Sequence, residues 1–319
     1  MPVEGDSAHA QAVVPRGERR GLGLALCVLA LMLFACQDAI TRYLVQDLSV
    51  PQILTIRFIG FAALAFGLAF ARRGIRGALA TRHPVLQIGR SALLVGEIAI
   101  FSLGLRSLGL ADMHAVFAAF PLIVTALAGP LLGEHIGWRR WIGVIVGFCG
   151  ALVILRPGFE VFRPEALLPV IAALMWAIYN IITRKVSAND SSETSLAWTG
   201  LVAVITLTPF GIANWIAPDA GQWTWLIVLV ITSTAGHFFL IMALGYVQAA
   251  ALQPFNYLLL VFATIVGFLV FGELPDAITI AGAAIVVASG LFVIWRERAL
   301  AADDAIERPL PRRPKGSAG

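Results

Sequence analysis

Glu97 stands near the middle of the apolar run PVLQIGRSALLVGEIAIFSLGLRS, about twelve residues from either end. A carboxyl group there can carry a proton or face a cationic or amide group of a bound molecule. It can also lock neighbouring helices by hydrogen bonding. An ionisable side chain at the centre of a bilayer costs at least about 2.5–3.5 kcal/mol, so it marks a pathway or a packed partner. Arg90 falls two turns earlier on the same helical face. Asp38 lies in FACQDAITR (34–42), with Arg42 at i+4, and Arg57 sits six residues into the next apolar run at similar depth. An Asp38–Arg57 or Asp38–Arg42 pair would serve as a gate or as a staple. His237 is a further buried candidate, for function or for a packed hydrogen bond. Trp176, Tyr179 and Asn180, with Phe255, Asn256 and Tyr257, form an aromatic and polar set on two later runs. They read as a cavity wall or as interfacial anchors. His114 begins an apolar run and is expected to face the outer surface.

The spacing excludes several chemistries. His83, His114, His135 and His237 are scattered, and neither HExxH nor GxSxG occurs, so no enzyme constellation is expected. GxxxxGK[ST] is also missing, which argues against direct drive by ATP. Cys27, Cys36 and Cys149 all lie in apolar runs without paired spacing, so neither a disulfide framework nor a metal site is expected. No cofactor is implied.

The elements that hold these residues are set by composition. Apolar residues make up 59% of the 319 positions and charged ones 13%, with a mean hydropathy of +0.86. Soluble domains carry about 25% charged residues, so this chain belongs in a membrane. A bilayer core needs about 20 mostly apolar residues per helix. Ten such spans are predicted, at 22–44, 51–71, 85–105, 112–132, 138–155, 165–184, 194–216, 223–243, 250–271 and 277–295. The polar segments 1–20 and 297–319 read as disordered cytoplasmic tails. Leu33-Phe34-Ala35-Cys36 weakly resembles a lipoprotein cleavage box, but Phe fits it poorly and nine spans follow, so cleavage is not expected.

With the N-terminus inside, the inner segments carry thirteen basic residues: Arg16, Arg19, Arg20, Arg72, Arg73, Arg76, Arg82, Arg139, Arg140, Arg184, Lys185, Arg296 and Arg298. The outer ones carry four: Arg42, Arg106, Arg156 and Arg163. This bias predicts both termini in the cytoplasm. It suits a lipid bilayer and not nucleic acid as partner.

The chain also repeats itself. FACQDAITR is echoed 142 residues later by WAIYNIITR (176–184), with Asn180 in place of Asp38. GEHIGWRRWIG (133–143) returns 139 residues on as GELPDAITIAG (272–282), with Gly150 and Gly290 following. Gly96-Glu97 matches Gly236-His237 at an offset of 140. Two halves of five spans, 22–155 and 165–296, are therefore expected, and an odd number makes the second half enter the membrane inverted. Such repeats belong to carriers that bind substrate near the midplane. Glu97 and His237 should then lie close to one central cavity. Gly143-x-x-x-Gly147 reads as close helix packing, and Pro121, Pro130 and Pro254 as kinks or flexing points.

This two-fold pattern resembles the drug/metabolite transporter superfamily, specifically its ten-helix EamA-type members with two EamA repeats. The residues that carry the resemblance are FPLIVTALAGPLLGEHIGWRRWIGVIVGFCGALVILRPG (120–158) and QPFNYLLLVFATIVGFLVFGELPDAITIAGAAIVVASGLFVIWRER (253–298), with Arg57 of LTIRF. It implies an inner-membrane carrier that works by alternating access, with helices of both halves around a central cavity. The function expected is that of a secondary carrier of a small organic metabolite, coupled to protons or another gradient, as a monomer or homodimer. Family substrates include amino acids, nucleobases, S-adenosylmethionine and riboflavin. Asp38 and DLSVPQILTIRF (47–58) point toward the riboflavin- and S-adenosylmethionine-uptake branches. A membrane-embedded enzyme, a channel and a scaffold are the competing classes.

Overall fold

The computed structural model describes residues 20–132, 137–155, 164–186, 189–247 and 252–307. The first Gly-Glu pair (133–134), His135, Arg156, Arg163 and most of both tails lie outside the described residues. Ten helices are long and apolar enough to cross a membrane, and no strand occurs among the described residues. They begin and end within a few residues of the predicted spans. In chain order they are α1 (Arg20–Leu44), α2 (Val50–Ala78), α3 (Pro84–Gly104), a fourth span divided into α4 (Leu110–Phe117) and α5 (Phe120–Leu132), α6 (Trp138–Leu155), α7 (Leu168–Val186), α8 (Ser192–Ala213), α9 (Ala220–Tyr246), α10 (Leu258–Phe271) and α11 (Ala277–Glu307).

Local chemistry sets the boundaries. The Ser49 hydroxyl accepts from the Gln52 amide at 3.4 Å, with Pro51 in the first turn of α2. Asp219 and Gln222 close a reciprocal capping box at the start of α9: Asp219 Oδ1 accepts from the Gln222 amide at 2.7 Å, and Gln222 Oε1 from the Asp219 amide at 3.0 Å. Gly272 ends α10 with φ +69°, a left-handed conformation that favours glycine. Pro121 and Pro254 sit at the starts of α5 and of the 3₁₀ turn Gln253–Tyr257, while Pro130 lies inside α5. Of these three, Pro130 is the one inside a helix, as is Pro209 in α8. One expectation is corrected at the C-terminus. The last helix runs on to Glu307, because RERALAADDAIE is rich in good helix formers although too polar for lipid.

The packing shows the two-fold relation directly. α2 packs on α8, α6 on α11 and α4 on α10, so each of these pairs joins equivalent spans of the two halves. The pair α1–α9 is matched by α7–α3, the pair α1–α10 by α7–α5, and α2–α9 by α8–α3. Exchanging the halves maps the set onto itself. Five spans per half make equivalent helices run in opposite directions, which puts the pseudo-two-fold axis in the membrane plane. Apolar burial against lipid-like neighbours gives little drive, so close packing of small residues holds these helices together. A Cβ added at Gly143 would meet Val293 at 2.6 Å, and one at Gly147 would meet Leu122 at 2.0 Å. At Gly150 it would lie 2.9 Å from the Gly282 carbonyl oxygen, so α6 and α11 touch backbone to backbone.

Candidate functional site

Five helices bring five titratable side chains together within the bundle. α1 supplies Asp38, α2 Arg57, α3 Glu97, α4 His114 and α9 His237. Arg57 lies within electrostatic reach of both Asp38 and Glu97, Glu97 within reach of Asp38, and His237 within reach of Arg57 and Asp38. Arg57 is 5% exposed, Glu97 4% and His114 3%, whereas the Asp38 side chain keeps 14%. The predicted residues Asp38, Arg57, Glu97 and His237 therefore belong to one group drawn from both halves.

The partners in and around it differ from expectation. Asp38 Oδ2 lies 3.2 Å from His114 Nε2, close enough for an ion pair, but the angle is poor and Nε2 makes no hydrogen bond. Asp38 Oδ1 accepts a long hydrogen bond from Gln37 Nε2 at 3.4 Å. His114, expected at the outer surface, is instead buried against Phe101, with ring centroids 5.0 Å apart. α4 starts at Leu110, and that extra half-turn carries the imidazole inside. Arg42 does not pair with Asp38. Its two terminal nitrogens donate to the two carboxylate oxygens of Glu273, and its guanidinium lies 4.4 Å from the Phe271 ring. Arg90 shares no contact with Glu97 among the described interactions and turns toward α7 and α8.

The imidazole of His237 has a defined orientation. Its Nδ1 donates to the Ser233 carbonyl at 2.7 Å, and the ring meets Phe34 and Phe61 edge-on at 5.0 and 4.9 Å. With Nδ1 occupied, Nε2 is the nitrogen free to accept or exchange a proton.

An aromatic series leads away from this centre. Phe101 contacts Phe117 at 5.4 Å, Phe117 contacts Phe120 at 5.6 Å, and both flank Trp176 at 6.3 and 6.2 Å. Trp176 stacks on Tyr179 at 5.1 Å, and Tyr179 lies 5.2 Å from the Arg90 guanidinium. Trp176 and Tyr179 are thus part of a continuous wall, whose phenylalanines the sequence reading missed because any apolar span contains them. Asn180 donates to the Trp176 carbonyl of its own helix at 2.7 Å. Asn256 bonds Gln253 at 3.1 Å. Tyr257 packs with Ala118, Ala119, Ala151 and Val286, its hydroxyl unbonded in the notch left by Gly290. The aromatic and polar set expected on the sixth and ninth spans is therefore split.

The two ends of the bundle are tied differently. At the end of the first span stands the Arg42–Glu273 pair, beside Arg106, whose Nε and Nη2 donate to the Val45 and Leu48 carbonyls at 2.8 and 3.2 Å. At the opposite end Arg90, 2% exposed, uses its whole fork. Nε donates to Thr183, Nη1 to Gln87 and the Ser195 carbonyl, and Nη2 to Tyr179 and Thr199, at 2.9–3.4 Å. Gln87 in turn donates to Asp190 at 2.9 Å, and Thr81 donates to the same carboxylate. All three cysteines are free, and no group that could hold a metal occurs among the described residues.

The sequence pattern of the EamA-like transporter family matches residues 21–156 and again 163–295. The chain is 31% identical to an S-adenosylmethionine uptake transporter of Rickettsia prowazekii, over 86% of this chain and 93% of the relative. It is 28% identical to a riboflavin transporter of Rhizobium johnstonii, over 88% and 93%. A solved crystal structure covering 88% of this chain and 98% of its own superposes with a TM-score of 0.60 at 20% identity, a likeness of fold.

Proposed function

The chain belongs to the EamA-like transporter family, and on that premise we propose that it is a proton-coupled carrier that takes up S-adenosylmethionine, or a metabolite of the same kind, by alternating access. The observation that carries this reading is the convergence of Asp38, Arg57, Glu97, His114 and His237 from both halves. With the imidazoles neutral, two carboxylates against one guanidinium leave one negative charge while Glu97 is ionised, and none once Glu97 holds a proton. The single negative charge complements a sulfonium monocation. The wall of Phe117, Phe120, Trp176 and Tyr179 offers ring faces for a purine, and aromatic faces also attract cations. The residual exposure of Asp38 makes it the group's point of access.

In this reading Glu97 carries the coupling proton, while Asp38 faces the substrate cation. Both termini lie in the cytoplasm. The Arg42–Glu273 pair then closes the outer end and the Arg90 network the inner one, and each must open in turn during a cycle. Riboflavin is the rival substrate, because the same aromatic wall suits an uncharged tricyclic ring. Thermal stabilisation of the purified protein separates them. A ligand at 100 times its Kd adds about 2.7 kcal/mol. S-adenosylmethionine should raise the midpoint in wild type and much less in Asp38→Asn, with riboflavin inert. Stabilisation by riboflavin alone, insensitive to Asp38→Asn, would overturn the choice.

A further inference from the structure

A groove of about 370 Å³ opens between the start of α6 and the membrane end of α11, lined by Trp138, Arg139, Ile142, Phe292, Trp295 and Arg296. Parity alone places these two helix ends on the same side of the bilayer, since the fifth and tenth spans run in opposite directions. The groove lies at the boundary of the apolar segments, which run Trp138–Leu155 and Ala277–Arg296. Its walls are apolar and open: Trp138 is 67% exposed, Trp295 61% and Ile142 48%. Tryptophans at this depth sit at the headgroup level.

The two arginines supply the other half of the argument. Neither Arg139 nor Arg296 has a carboxylate partner among the described interactions, and the Arg139 guanidinium lies 5.4 Å from the Trp138 ring. A concave, aromatic-sided groove with two guanidiniums that have no carboxylate partner among the described interactions suits an anion, and its apolar floor suits an apolar chain attached to that anion. Guanidinium binds phosphate through paired N–H donors. Basic pockets between membrane helices on the cytoplasmic side take anionic lipid headgroups. We propose that this groove is a binding site for an anionic glycerophospholipid, its phosphate between Arg139 and Arg296 and an acyl chain along Ile142 and Phe292. Because α6 and α11 are the equivalent fifth spans of the two halves, a lipid seated here clips the halves together away from the transport path.

The test uses the full chain in nanodiscs, where both leaflets are alike and the orientation of the protein is immaterial. Discs of phosphatidylcholine are compared with discs containing phosphatidylglycerol, and lipid retained after release is counted by native mass spectrometry. Wild type should retain phosphatidylglycerol over phosphatidylcholine by about tenfold or more, given roughly 1 kcal/mol per basic residue near the headgroups. The double variant Arg139→Gln/Arg296→Gln should lose most of that preference, while Lys185→Gln, basic and exposed at the same end, should keep it. Equal retention of the two lipids by wild type, or an unchanged preference in the double variant, would overturn the site. So would stabilisation by inorganic phosphate in detergent without lipid selectivity, or a dimer that disappears in the double variant.

Discussion

Glu97 is the residue on which the coupling argument is most exposed. Glutamine keeps its shape and most of its hydrogen bonding but cannot carry a proton. Glu97→Gln vesicles should exchange substrate down its gradient at near the wild-type rate, yet fail to accumulate it under an imposed pH gradient. Unchanged pH-driven accumulation would remove Glu97 from coupling, and loss of exchange as well would make it a substrate contact. Asp190, in the turn before α8, yields a prediction from an extramembrane charge. Partial burial works to raise its carboxyl. Hydrogen bonds from Thr81, Gln87 and the Arg82 amide, with His83 nearby, outweigh this and hold it below the ordinary range. A group depressed in the folded state stabilises above its unfolded value, and that contribution disappears as pH falls through the folded one. The thermal midpoint should therefore fall between about pH 5 and about pH 3, and fall less in Asp190→Asn. Parallel curves for the two proteins would contradict the assignment.

Between elements, the ties at the two ends differ in strength. Arg42–Glu273 joins α1 to the connection after α10 with Glu273 45% exposed. An exposed pair of this kind contributes at most about 1 kcal/mol. Arg90 has every N–H bonded inside the bundle and links α3 to α7 and α8. The first tie should open readily and the second reluctantly. Arg42→Ala should leave stability nearly unchanged while raising the open population at that end by up to about fivefold. A cysteine placed at Ala111, buried in the first turn of α4 at the same end, reads this as faster reaction with a hydrophilic thiol reagent. No change in labelling would mean that the pair does not control access.

For the whole molecule, the open question is its sense in the membrane. The thirteen-to-four bias of basic residues between the two sides supports cytoplasmic termini. In a cysteine-free background, Ala80→Cys, in the connection before α3, should resist an impermeant reagent in intact cells. Ala217→Cys, before α9, should react. The opposite pattern would reverse the proposed orientation and with it the assignment of outer and inner ties. The two-fold axis would stand, because it rests on which helices pack together.

The ten spans and the two repeats could be read from residue order because lipid imposes a minimum apolar length, and because FACQDAITR and WAIYNIITR keep their spacing. Glu97, Asp38, Arg57 and His237 stood out for the same reason: an ionisable side chain in an apolar run is costly wherever it points. What they touch was a different matter. A helix surrounded by lipid and by other helices is apolar on every side, so the sequence carries little record of which face turns inward. Only the packing of α1 against α4 and α10 and of α3 against α7 decided that His114 meets Asp38, that Arg42 reaches Glu273 231 residues away, and that Arg90 leaves Glu97 for Tyr179. Tertiary structure set these partners because hydrogen-bond geometry depends on the rotation and depth of helices from different halves, and no local pattern encodes either.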